Sequence, residues 1–148
     1  GELYLTERIK DLFKTSNGKY IAPQMIESLL LVDKFVDQIA VIADQRKFVS
    51  ALIVPEFNTL EKWARDKGIF YNSLEELCAN QEINDMMKER IDTLLQGLAN
   101  YEKIKQFTLL PHHFAMDTGE LTNTLKMRRP VIYKKYKDII DKMYEENQ

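Results

Sequence analysis

The chain's 148 residues, with 21 basic against 23 acidic side chains for a net charge of −2, make one domain by length and can bury a real core. A composition of 45% hydrophobic and 30% charged residues, with few glycines and prolines, is that of a domain folding without staples, and the charge balance excludes a bulk pull toward nucleic acid or acidic membranes. The lone Cys78 cannot form an internal disulfide and fits a reducing, cytoplasmic setting, while no apolar run approaches the roughly 20 residues of a spanning helix.

Gly1 opens almost directly onto Leu3-Tyr4-Leu5-Thr6, a strand-like run, so further chain is expected upstream. Leu12 to Thr15 and Lys19 to Ala22 flank Ser16-Asn17-Gly18, a link suited to a β-hairpin, giving a hairpin region over 3–22. Pro23 suits a first helical turn, and Met25, Ile26, Leu29 and Leu30 follow at helical spacing to about residue 32. Val36 to Ile42 and Phe48 to Val54, joined by the polar Ala43–Lys47 turn, read as an antiparallel pair at the sheet centre. Asn58 is the expected cap of a helix that Gly68 ends, and Ser73 with Glu76 has capping-box spacing. A longer helix is expected over 82–99, then a strand from Ile104 to Leu110 halted by Pro111. The last helix is predicted over 129–144, with Pro130 in its first turn and Val131, Ile132, Tyr136, Ile139, Ile140 and Met143 buried. These elements describe an α+β fold: a small mixed sheet with β-hairpins packed by several helices, its core over 23–110.

Self-contained chemistry is scarce. There is no phosphate-cradling glycine loop and no HExxH. His112 and His113 are adjacent, so their rings diverge, and a solvated pair is favoured over a metal site; we expect no metal ligands in this chain. Cys78 reads as a packed thiol, Trp63, Phe70 and Tyr71 as core or groove packing, and Lys134, Lys135 and Lys137 as a solvated helix face. Lys126 taken alone would be an exposed loop lysine, although neither helix nor strand patterning demands it.

Two long segments change that reading. Residues 118–129 run Thr118-Gly119-Glu120-Leu121-Thr122-Asn123-Thr124-Leu125-Lys126-Met127-Arg128-Arg129, and residues 8–27 run from Arg8-Ile9-Lys10-Asp11-Leu12-Phe13-Lys14-Thr15-Ser16-Asn17-Gly18-Lys19 through Tyr20-Ile21-Ala22-Pro23-Gln24-Met25-Ile26-Glu27. In this order they resemble the C-terminal lid domain of adenylate-forming acyl-CoA synthetases, closest to the long-chain fatty-acid branch, whose segments resemble GELTPTLKxxR and RxKDLIKTSGGKxIAPQxIE. The resemblance covers essentially the whole chain. Asn123 stands where proline is usual and Asn17 where glycine is common.

The resemblance implies an ATP-dependent acid–thiol ligase that makes an acyl-adenylate and then passes the acyl group to coenzyme A. A large N-terminal AMP-binding domain, the lid's partner, would precede this chain and hold the fatty acid, most of the ATP site and Mg2+. The lid swings between two poses and is expected to be inactive alone. By position, Lys126 in the 118–129 loop is the catalytic lysine, Arg8 the nucleotide contact and Lys10 the hinge. Lys14, Ser16 and Gly18 lie on the face that meets CoA in the thioester step. Any membrane association would come through the upstream part. A lid from a ligase activating aryl or amino acids for a carrier protein, or a non-catalytic interaction module, are the alternatives.

Overall fold

The computed structural model describes residues 12–124 and 126–145. The strand expected at Leu3–Thr6, and with it Arg8 and Lys10, lies outside the described residues. Strands β1 (Phe13–Lys14) and β2 (Tyr20–Ile21) form an antiparallel hairpin. Helix α1 (Pro23–Leu31) follows with Pro23 in its first turn, where a missing N–H costs nothing. Strands β3 (Val36–Ile42), β4 (Val49–Pro55) and β5 (Ile104–Leu109) form the main sheet in that order. β3 pairs with β4 antiparallel and β5 pairs with β4 parallel, so the sheet is mixed as expected. All seven residues of β4 are buried, which explains its near-continuous apolar run at the sheet centre. Helices α2 (Phe57–Asp66), α3 (Leu74–Ala79) and α4 (Gln81–Leu94) fill the connection from β4 to β5. Helices α5 (Arg129–Lys135) and α6 (Lys137–Glu145) close the described chain.

The two faces of the sheet are separated by period-2 alternation. Ile39, Val41, Ala43, Val49, Ala51 and Ile53 point to one core, covered by α1 to α4 through Ile26, Leu30, Leu60, Leu77, Met87 and Ile91. Ala40, Ile42, Leu52 and Val54 point the other way and meet Leu110, Phe114, Leu121, Ile132, Tyr136 and Ile140 from the C-terminal segment. A register shift between Val36 and Gln38 changes the parity, which brings Val36 to the first core with the odd-numbered residues of its strand.

Several local expectations need correction. The cap of α2 is Glu56, whose carboxylate accepts the Asn58 N–H at 3.0 Å; starting the helix at Phe57 lets that ring pack against both cores. Ser73 accepts the Glu76 N–H at 3.2 Å, but Glu76 returns its bond to the Asn72 N–H at 3.1 Å, one residue before the cap. The helix expected over 82–99 ends at Leu94, where Leu95 leaves helical geometry and a turn closes from Leu98 N–H to Leu95 C=O at 3.0 Å. The single final helix is two. Tyr136 leaves helical geometry (φ −104°, ψ 20°) where its hydroxyl donates to the buried Glu120. Phe70 is 99% exposed and packs in neither core nor groove, whereas Trp63 and Tyr71 are half-buried against the first core.

Candidate functional site

The segment after β5 returns across the second face of the sheet. Phe114 N–H donates to the Gln38 side chain at 2.7 Å, and Phe114 itself is buried. Gly119 then adopts φ +80°, a left-handed conformation that side-chain-bearing residues rarely hold, and turns the chain toward Glu120. Glu120 is only 1% exposed. A carboxylate there must be fully partnered, and it is: Thr118 Oγ1 donates to it, Tyr136 Oη donates at 3.0 Å and Lys135 Nζ at 3.2 Å. Lys135 therefore has an inward role that a solvated-face reading misses, while Lys137 pairs with Asp141 at 2.8 Å and Lys134 is exposed. Burial pushes the Glu120 carboxyl up, and the three donors together outweigh it, so it sits below the ordinary glutamate range. Tyr136 moves the opposite way, raised by burial and by the Glu120 bond.

A carboxyl whose folded-state pKa is depressed stabilises the fold above its unfolded value and loses that contribution as pH falls through the folded value. The stability gap between the natural chain and Glu120→Gln should therefore narrow as acid enters the carboxylate range, read as unfolding midpoints against pH. A gap that stays constant across that range would mean that the charge of Glu120 contributes nothing.

Lys126 sits in a small antiparallel loop. Leu121 and Met127 form a β-bridge, Thr122 N–H donates to Lys126 C=O at 2.8 Å, and Lys126 N–H donates to Thr122 Oγ1 at 3.1 Å. Arg128 N–H donates to Glu120 C=O at 2.8 Å. Leu121 and Met127 pack inward against the second core, so the alternation turns Lys126 and Arg128 outward. Lys126 is exposed and has no acidic partner among the described residues. It lines an open groove of about 490 Å³ with Gln24, Glu27, Arg128, Arg129 and Pro130.

The root of this loop is a buried ion pair. Arg129 Nη1 and Nη2 each donate to one oxygen of Glu27 at 2.7 Å, a two-point contact between side chains only 16% and 6% exposed. Glu27 Oε2 also accepts the Val41 N–H at 2.8 Å, and Tyr133 Oη donates to Val41 C=O at 2.6 Å. Together they cover backbone groups of β3, an edge strand. The Arg129 guanidinium also lies 5.5 Å from the Phe13 ring centre. Burial works against its charge, but Glu27 more than offsets this and leaves its pKa raised. Removing one partner from such a pair typically costs ~3–5 kcal/mol, because the other charge is left buried.

The hairpin carries Lys14, Ser16 and Gly18, all exposed, on a separate surface. Ser16 N–H donates to Arg46 C=O at 2.9 Å and Gln45 N–H to Lys14 C=O at 2.8 Å, so the hairpin lies against the β3–β4 turn. Gly18 takes φ +82°, whereas Asn17 keeps negative φ, so asparagine at that position is unstrained. None of these three residues lines the Lys126 groove.

The remaining candidates have ordinary partners. His113 meets Asp37 at 2.6 Å, while the His112 ring stacks on Tyr136, so the two rings diverge. Burial pushes the Cys78 thiol up to about 11, far from a nucleophile's range. Sequence patterning gives Tyr136 only a place on the buried side of the last helix, which it holds, and points to no role for Glu27, Glu120, Tyr133 or Arg129. The available signal was Glu27, an acidic residue on the buried stripe of Pro23, Ile26 and Leu30, where a charge requires a partner.

Residues 10–148 match the family described as the AMP-binding enzyme C-terminal domain, and the chain belongs to that family. Within it, long-chain ligases are among the similar relatives. Long-chain-fatty-acid–CoA ligase 1 of Homo sapiens is 36% identical over 147 residues, covering 97% of this chain and 21% of the ligase. The peroxisomal long chain acyl-CoA synthetase 7 of Arabidopsis thaliana is 32% identical over 149 residues, covering 99% of this chain and likewise 21% of its own length. The chain thus spans about a fifth of the curated relatives it matches. The A domain of carboxylic acid reductase from Segniliparus rugosus, solved in complex with AMP and a co-purified carboxylic acid, shares the fold with a TM-score of 0.76. That match covers 95% of this chain and 21% of the other at 22% identity. No helix among the described residues is long and apolar enough to cross a membrane.

Proposed function

We propose that this chain is the lid of a long-chain fatty-acid–CoA ligase. The observation that carries the reading is Lys126: an exposed lysine with no acidic partner among the described residues, on a loop pinned at both ends, inside a segment that resembles the family's lysine motif. In the first half-reaction a fatty-acid carboxylate attacks the α-phosphate of ATP, forming the acyl-adenylate and releasing pyrophosphate. Both reactants are anionic, and the Lys126 ammonium bridges them as they close. In the second, the thiol of coenzyme A attacks the acyl carbonyl, AMP leaves, and the thiol proton is lost. The lid turns between these steps about Lys10. Arg8 contacts the nucleotide near the junction, and the surface bearing Lys14, Ser16 and Gly18 meets the CoA arm, with left-handed Gly18 letting it pass close to backbone. Among the described residues no three carboxylate, imidazole or thiol groups gather to hold a metal, and on this reading Mg2+ belongs to the upstream AMP-binding domain.

The relatives' names and the wording of both motifs favour the fatty-acid branch over aryl- or amino-acid ligases. The test is to assay the full-length protein with ATP, CoA and a panel of acids. Long-chain acyl-CoA should form, while this chain alone should form none and bind ATP and CoA weakly, because most pocket walls would be upstream. Activation of aryl or amino acids only would assign the lid to another branch. No activation of any acid would leave an interaction module.

A further inference from the structure

We infer that Arg129, acting through Glu27, is a positioning residue that sets where the Lys126 ammonium stands during adenylation. This rests on reading the chain as a ligase lid. Only Met127 and Arg128 separate Lys126 from Arg129, and the backbone of that stretch is already tied down by the Leu121–Met127 bridge and the Arg128–Glu120 hydrogen bond. Arg129 then fixes the end of the loop to the rest of the domain. Its planar fork meets both oxygens of Glu27 at 2.7 Å and lies against Phe13, so its orientation is defined as well as its place. Glu27 is in turn held by the Val41 N–H, which makes the sheet edge the reference point for the loop.

The pair has a second consequence for Lys126. Among the described residues, Glu27 is the acidic one lining the groove that Lys126 also lines. With each oxygen bonded to Arg129, that carboxylate is neutralised and does not draw the lysine inward. Without Arg129 it would become an internal partner for Lys126 and an anion facing two anionic substrates. Arg129 therefore leaves the ammonium available to bridge phosphate and carboxylate.

The test measures both half-reactions in the full-length ligase: pyrophosphate release with ATP and a long-chain fatty acid, and thioester formation from pre-formed acyl-adenylate and CoA. Arg129→Gln should slow the first by about 10-fold or more and the second by no more than about twofold, since a displaced group costs rate only in the step that uses it. Arg129→Lys keeps the charge but loses the fork, and should recover only part of the loss. Should Arg129→Gln fail to fold, Glu27→Gln retains an oxygen for the Val41 N–H and should show the same split. In a Lys126→Ala background, Arg129→Gln should add little, because the group it positions is gone. Equal losses in both steps with a lowered unfolding midpoint would reduce the pair to a stabilising contact and overturn the inference. So would an unchanged adenylation rate in Arg129→Gln when Lys126→Ala alone is slow. If Lys126→Ala itself leaves adenylation intact, the lid reading fails and this inference with it.

Discussion

Replacing Lys126 by alanine in the full-length ligase should slow acyl-adenylate formation by about 10²-fold or more, the usual cost of losing one preorganised charge stabiliser. The effect is specific to one step because the barrier is specific to it. Adenylation joins a carboxylate to a polyanionic triphosphate, and the repulsion between them is what a positioned ammonium offsets. In the thioester step the acyl-adenylate is already made and the attacking group is a thiol. On the proposed lid reading, pre-formed acyl-adenylate should therefore pass to CoA at a rate much less affected, because the rotated lid would carry Lys126 away. The substitution should cost little stability, since the side chain is exposed and the loop's bonds come from Lys126 backbone atoms. Rapid-quench measurement of each half-reaction separates the cases: equal losses in both would point to misfolding or to a different role for the residue.

Lys10→Pro should divide the half-reactions in the opposite direction. The residue lies outside the described part of the structure, two positions beyond Arg8 and just before the hairpin, at the junction expected for the lid's tether. Turning the lid there requires a change of backbone dihedrals, and proline locks φ near −65° while removing an N–H donor. A ligase carrying Lys10→Pro should keep adenylation and lose thioester formation, because the tether must turn after the first step. Lys10→Ala should be milder, as alanine keeps the torsional freedom. Assaying both half-reactions for both variants decides it. The same small effect from proline and alanine on each step would place the hinge elsewhere.

Much of this domain is written in local pattern. The apolar runs of β3 and β4, Pro23 and Pro130 in first helical turns, and Ser73 as a cap depend on contacts within a few residues, and each is readable from the chain. The motif around Lys126 was equally legible, because family likeness resides in the order of residues. The arrangement that holds that lysine was not. Glu27 and Arg129 are 102 positions apart, and only the meeting of α1 and the start of α5 at the edge strand β3, from opposite faces of the sheet, brings them within 2.7 Å. Glu120 and Tyr136 meet across 16 positions because the C-terminal segment folds back over the second face of the sheet, and the helix breaks at the tyrosine that makes the bond. Phe70 shows the same limit from the other side: an aromatic residue reads as core, yet its loop leaves it in solvent. Periodicity, and a cap such as Ser73, are short-range and are determined by the sequence alone. Which charges are buried together, and hence which lysine is left free, follows from layer packing, which only the tertiary structure decides.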